Sequence, residues 1–327
     1  MSVRQRQFWV PKGKDKQLLA AVLDLIRDEE YRPFWPLTLR QIYYGLVGRL
    51  VIENTKGVYH KIIGLITKAR LSNRLPWESI MDNNRDRLQS GGFASADRFV
   101  QWQREDFLDG YSRDLAQSQP VVLEIWVEKD ALARVVHDVA QEYCLDTVVA
   151  KGYSSVSYVN ELRNRIHENS AGRRSTKILY FGDLDPSGWN MLPAMFMTLH
   201  DEMGVSRSEA SYERCALTKE QVIKYKLPQN PNALKDDVWQ AEQRRLGLTD
   251  KEKGDPRAEG YKKLFGKLAV ELDAFTPRTL QSVVRAAIER NSDMGAYEAE
   301  REAQLHDAAQ IDKLKMKVDK LLKGMKW

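Results

Sequence analysis

The run "VVLEIWV" (121–127) constrains the fold more than any other stretch. Apart from Glu124 it is apolar, with no alternation of wet and dry positions. Such a run suits a strand covered on both faces, the condition of a parallel sheet. The texture recurs in "DTVVA" (146–150), "KILYFGD" (177–183) and "RCALT" (214–218). Helical stretches separate these runs, one from Asp130 to about Tyr143, one ending near His167 and one beginning at Pro186. Strands alternating with helices predict a parallel, Rossmann-like α/β sheet.

Upstream the periodicity changes. Leu18, Leu19, Val22, Leu25 and Ile26 share one helical face, and Pro33 and Pro36 stop that helix. Thr38, with Gln41 three residues on, is a capping box for a helix to about Leu50. A turn and a second amphipathic helix (Lys56 to Arg70) follow, and "LSNRLPW" (71–77) reads as a short wing or loop. The pattern predicts an N-terminal winged helix-turn-helix domain. Residues 1 to 75 hold 14 Lys and Arg against 6 Asp and Glu, a net +8 in a chain of net +5. That asymmetry suits a domain that meets phosphate, with Lys56, Lys61, Lys68, Arg70 and Arg74 as candidate DNA contacts. A basic face kept for solubility is the plainer alternative.

With 327 residues the chain is long enough for two domains and a tail. The expected boundaries are 1–80 for the basic domain, 81–119 for a connector, 120–292 for the sheet domain with a polar insertion at about 228–260, and 293–327 for a charged helix. In that helix Ile311, Leu314, Val318, Leu321 and Met325 form a heptad seam, suited to self-association or to lying on the protein's own body. No apolar run has membrane-spanning length, and Cys144 and Cys215 have no metal-ligand spacing, so a reducing cytoplasm is expected. No GxxxxGK[ST] phosphate loop is present.

Ligands of open parallel sheets gather at the carboxyl ends of the strands. Glu128 follows the first strand, and Asp183 and Asp185 follow the third. If those strands are neighbours, three carboxylates meet at one sheet edge. Oxygen donors without His or Cys favour a hard divalent cation, Mg²⁺ or Mn²⁺. Simpler roles exist for each: Asp185 before Pro186 is a good N-cap, and Glu128 beside Lys129 could be a local ion pair. In "LTLRQIYYGLV" (37–47), Leu39, Ile42, Tyr43 and Leu46 fall on one arc, which places Tyr43 in the core. Tyr44 then points away, exposed, one turn after Arg40.

"VEKDAL" (127–132) followed by "FGDLDPSG" (181–188) resembles the Toprim fold of topoisomerases, primases and related nucleases. With "RQIYY" (40–44) on a winged-helix (CAP-like) domain ahead of it, the chain looks like the A subunit of topoisomerase VI and the related meiotic break-forming transesterase, most of all the short stand-alone "Mini-A" relatives of mobile elements. The resemblance covers about residues 37 to 290. It implies a DNA topoisomerase-type enzyme in which Tyr44 is the nucleophile, Arg40 its electrostatic partner, and Glu128, Asp183 and Asp185 the metal ligands. It also implies double-stranded DNA as substrate, a homodimer in which Tyr and metal come from different protomers, and a cytoplasmic, nucleoid-associated location. The separate ATPase subunit of topoisomerase VI is not encoded here, so strand passage does not follow. Glu271 in "VELDAF" is a possible additional metal ligand or a structural hydrogen-bonder. Two other readings share the architecture: a Toprim nuclease that uses water rather than the Tyr, and a DNA-binding protein of mobile elements with vestigial catalysis.

Overall fold

Capping and periodicity set the first helices where the sequence places them. In the computed structural model, which describes residues 9–81, 91–150, 156–230 and 256–323, helix α1 spans Gly13–Arg27, α2 Leu39–Gly48 and α3 Lys56–Leu71. Thr38 and Gln41 form the expected capping box of α2, and Thr55 caps α3. The three helices bury one cluster that includes Leu25, Ile26, Ile42, Leu46, Ile62 and Leu65. Residues 71–77, expected as a short wing or loop, take the loop form. After α3 the chain makes a one-turn helix at Trp77–Ser79 and a single parallel bridge between Leu37 and Ile80. Pro76 denies the ladder a donor, and the backbone of Leu37 instead pairs with Ser79 and Met81.

The sheet has four strands: β1 (Val121–Val127), β2 (Thr147–Val149), β3 (Ser175–Phe181) and β4 (Ala210–Ala216). All neighbours are parallel, in the order β2-β1-β3-β4. Helix α5 (Asp130–Ala140) follows β1, α6 (Val156–Ala171) precedes β3, and α7 (Pro186–Met197) follows it. Trp126, Ile178 and Tyr180 pack against Leu162 and Ile166 of α6 and Met191, Leu192 and Met195 of α7. α5 packs against α10 (Pro277–Arg290), which contacts β4 as well. β4 is followed by the short helix α8 (Lys219–Lys224). Of the polar insertion expected at 228–260, residues 231–255 lie outside the described residues. Its end is helical: α9 spans Pro256–Phe265. The strand-like "VELDAF" makes only one antiparallel bridge, Val270 to Leu184, and then a helical turn at Leu272–Ala274.

The chain divides into two compact units. One combines Met1–Asn83 with Val121–Asn291. The other combines Asn84–Pro120 with Ser292–Trp327. The segment expected as a connector is therefore half of a unit. Its helix α4 (Ala96–Glu105) and the loop after it are tied to α11 (Met294–Lys323) by Arg113 with Glu300 (2.5 Å) and Asp307 (2.7 Å), and by Arg104 with Asp319 (3.0 Å). Ile311 and Val318 of the heptad seam are half-buried, while Leu314 and Leu321 are exposed. Met325 lies outside the described residues. Among the described residues no helix is long and apolar enough to cross a membrane.

Candidate functional site

β2 lies on one side of β1 and β3 on the other, so the chain reverses its direction of growth between β1 and β3. That switch point is where open α/β sheets leave a crevice. The register pairs Val127 with Phe181, which brings Glu128 beside Gly182 and Asp183. Glu128 N–H donates to the Phe181 carbonyl at 2.9 Å, and Glu128 Oε2 accepts from Asp183 N–H at 2.8 Å and from the Tyr180 hydroxyl at 3.0 Å. Asp183 Oδ1 accepts from Leu272 N–H at 2.7 Å and lies 3.0 Å from Lys129 Nζ. Asp185 caps α7, accepting from Gly188 N–H at 2.7 Å, as an Asp before Pro186 should. Arg214 donates to the carbonyls of Gly182, Asp183 and Ala216 and so pins the loop that carries the two aspartates. Gly188 permits the close approach. A Cβ there would stand 2.6 Å from the Asp183 carbonyl and 3.0 Å from Glu128 Oε2. Gly188→Ala should therefore cost about 1–3 kcal/mol in a urea titration, as overpacking does, and should displace Glu128.

The three carboxylates share an electrostatic burden. Burial pushes Glu128 and Asp185 above the ordinary carboxylate range, the charge of Asp185 adding to the rise at Glu128. Burial also pushes Asp183 up to about 8, against the pull of Lys129 and with the charges of Glu128 and Asp185 adding to the rise. A divalent cation relieves this kind of strain, and oxygen donors suit a hard one. In chemistry the donor set fits Mg²⁺ or Mn²⁺. It is not a closed cage, since no three His, Cys, Asp or Glu among the described residues are arranged to hold an ion as they stand. One oxygen of each carboxylate is already held by a protein donor.

A pH signature follows. Asp183 binds its proton more tightly in the native state than in the unfolded chain, where its pKa is about 3.9. The native state then carries the extra proton, so this group's contribution to stability falls as pH rises from about 4 toward about 8. Glu271, held down at about 2 despite its burial because Lys129 and Arg40 lie beside it, titrates below that window. The melting temperature of metal-stripped protein should drop between about pH 5 and about pH 8, and Mg²⁺ should raise it more at the higher pH. Equal gains at both pH values would place the ion elsewhere.

Beside this edge stands α2. Tyr43 is buried, as its helical phase predicts, with its hydroxyl donating to the turn at 53–55 (Asn54 Oδ1 and Thr55 carbonyl, both 3.1 Å). Tyr44 departs from the expectation. It is 4% exposed, not a surface ring. The face of α2 that a lone helix would offer to water packs instead against the turn at Leu272–Ala274. Arg40 makes that join, 2.5 Å from Glu271 Oε2 and 3.7 Å from Asp273 Oδ2. Tyr44 and the Glu271 carboxylate line one cleft. Burial and that carboxylate push the phenol far above its ordinary range, against the opposing pull of Arg40 and Lys129. Tyr44 opens on a cleft of about 250 Å³ lined also by Arg40, Asn54, Lys56, Tyr59, Asn230 and Glu271.

Lys129 is the residue that sequence reasoning missed. Its ion pairs among the described residues run to Asp183 (3.0 Å), Glu271 (2.8 Å) and Asp273 (2.6 Å), not to its neighbour Glu128. Lys129 thus links the sheet edge to the Tyr44 cleft. Its only signal in the sequence was its place beside Glu128. Of the basic candidates, Lys56 borders the cleft, Lys61 is exposed and Lys68 is half-buried. Arg70 is turned inward, donating to the Trp77 and Ile80 carbonyls and stacking on Trp77, and Arg74 donates to the Trp9 carbonyl. No family model matches the chain, and no curated protein is significantly similar to it in sequence.

Proposed function

We propose that this chain is a DNA-cleaving tyrosine transesterase of the topoisomerase VI A type, with a winged-helix-like part and a Toprim-like sheet, without an ATPase of its own. One observation carries the reading: the R-x-x-x-Y helix and the carboxylate edge lie in one unit and are joined by Arg40, Glu271, Lys129 and Asp183, an arrangement within one chain where the resemblance implies Tyr and metal from different protomers. In this reading the Tyr44 oxygen attacks a DNA phosphorus and becomes linked to it, while the phosphorus–oxygen bond to a deoxyribose breaks; the phenol loses its proton and the departing deoxyribose oxygen gains one. Arg40 offsets negative charge on the phosphorane. Glu128, Asp183 and Asp185 would hold Mg²⁺ or Mn²⁺, which supplies charge for binding a phosphate oxygen. Lys56, Lys61 and Lys68 meet the duplex backbone. The working assembly is a homodimer on double-stranded DNA in the cytoplasm.

A second reading, hydrolysis by water with Tyr44 idle, is favoured by the low exposure of that ring. Incubation with Mg²⁺ and supercoiled plasmid, then denaturation with and without protease, separates the two. DNA ends that carry protein and disappear in Tyr44→Phe are the expected result. Free ends that persist in Tyr44→Phe would replace transesterification with hydrolysis. An absence of cleavage with Mg²⁺ or Mn²⁺ would leave a DNA-binding role alone.

A further inference from the structure

Helix α11 has two unlike sides. One side carries Glu300, Gln304, Asp307, Lys315 and Asp319, which bond to residues 104–113 of the same unit. At about 100° per residue, Leu305, Ala309 and Met316 fall within about 40° of one another, roughly 120° round the helix from that side. This stripe is open: Leu305 is 73% and Met316 66% exposed, and Ala309 is exposed as well. The charge around it changes sign along the helix. The N-terminal half exposes Glu298 and Glu302, and the C-terminal half exposes Lys313, Lys317 and Lys320, with Asp312 an exception. The helix macrodipole does not account for this pattern, because its pull fades within one turn of each end. Glu302 and Lys313 lie about two turns or more inside Met294–Lys323.

We infer that the open side of α11 is an interface to the same side of α11 in a second copy of the chain, paired antiparallel. The midpoint of the helix falls at Ala308 and Ala309, so two helices laid antiparallel cross at small side chains and approach closely. Glu298 and Glu302 of each chain then come opposite the lysine-bearing half of the other, and the apolar stripes lie between them. A parallel pair would set acid beside acid and lysine beside lysine. The antiparallel contact is self-complementary about a twofold axis, as the interface of a symmetric dimer must be. The inference rests on the homodimer of the proposed function and names a contact for it, and it does not depend on the chemistry at Tyr44.

The test is the sedimentation equilibrium of full-length protein, and wild type should be a dimer at micromolar concentration. Leu305→Glu with Met316→Glu should raise the dissociation constant about 100-fold or more, the scale of returning two apolar side chains of each chain to water. Both positions are exposed, so the circular dichroism of the variant should match wild type. Lys313→Glu with Lys317→Glu should weaken the dimer about 10-fold at low salt. Adding Glu298→Lys and Glu302→Lys to the same chain should restore it, a recovery that a loss of folding cannot produce. Cys144 is exposed and Cys215 buried, so orientation is read in a Cys144→Ser background. There Ala309→Cys should link to its twin through a short bis-maleimide, and Glu298→Cys should not. Wild-type affinity in both sets of variants would overturn the inference and leave the homodimer to another surface. Links through Glu298→Cys would overturn the antiparallel order. A monomeric wild type would overturn this inference and the homodimer of the cleavage reading together. In that monomer, a plasmid affinity that falls in Lys313→Glu with Lys317→Glu would assign the face to DNA instead.

Discussion

Lys129→Met should lower stability by about 3–5 kcal/mol, the scale of breaking a buried ion pair from one side. The ammonium side chain is 14% exposed and lies within 3.0 Å of Asp183, Glu271 and Asp273. Methionine fills most of the space and removes the charge. Arg40 continues to face Glu271 and Asp273, so Asp183 is the carboxylate left without its cation. Its pKa, already raised, should climb further, and protonation should relieve the variant more than the wild type. The native variant then binds more protons than its unfolded chain, and its stability falls as pH rises. The gap to wild type should be widest near pH 8 and narrower near pH 5 in urea titrations. Asp183→Asn added to Lys129→Met should recover part of the loss, because neighbours in one network are not additive. A gap under about 1 kcal/mol at both pH values would mean that the cluster is solvated rather than buried.

Tyr43→Ala should cost about 3–5 kcal/mol, the range for emptying a buried aromatic site. The ring is 3% exposed and meets Tyr44 and Tyr59 edge-on, with centroids 5.2 and 5.1 Å away. Tyr43→Phe keeps both ring contacts and loses only the hydroxyl's bonds to the Glu53–Thr55 turn, about 1 kcal/mol. Chemical denaturation should separate the two variants clearly. If Tyr44 is the nucleophile, Tyr43→Phe should still form linked DNA ends at near wild-type yield. A folded Tyr43→Phe protein that forms none would transfer the role to the other ring.

The sheet was legible because its signals are local. "VVLEIWV" and "KILYF" are strands, Asp185 caps the helix that Pro186 opens, and Thr38 and Gln41 form their box. The meeting of Glu128 with Asp183 needed one nonlocal fact, the adjacency of β1 and β3, which two apolar runs cannot state. Tyr44 was misplaced for the same reason. Helical phase describes a helix against one partner, and α2 has two: its own three-helix core and the turn at 272–274. Arg40 looked like a surface neighbour of Tyr44 until Glu271, 231 residues later, came to meet it. Lys129 offered only its place beside Glu128, which pointed to the wrong partner, because its real partners are 54 to 144 positions away.

The second unit places a burden on synthesis. Arg113 finds Glu300 only after 187 further residues, and Tyr111 finds Asp307 after 196. At roughly 5–20 residues per second, that interval is on the order of 10 to 40 s. Throughout it the segment 84–120 has left the ribosome without its partner helix, while the three-helix core of residues 13–80 can already close. The rings of Phe99 and Trp102 each contact that of Phe93, and all three remain exposed in the finished fold, so they face solvent through that wait. An emerging chain of this design carries half of a unit in mid-sequence until α11 is made, and chaperones that hold unfinished chains should engage it there.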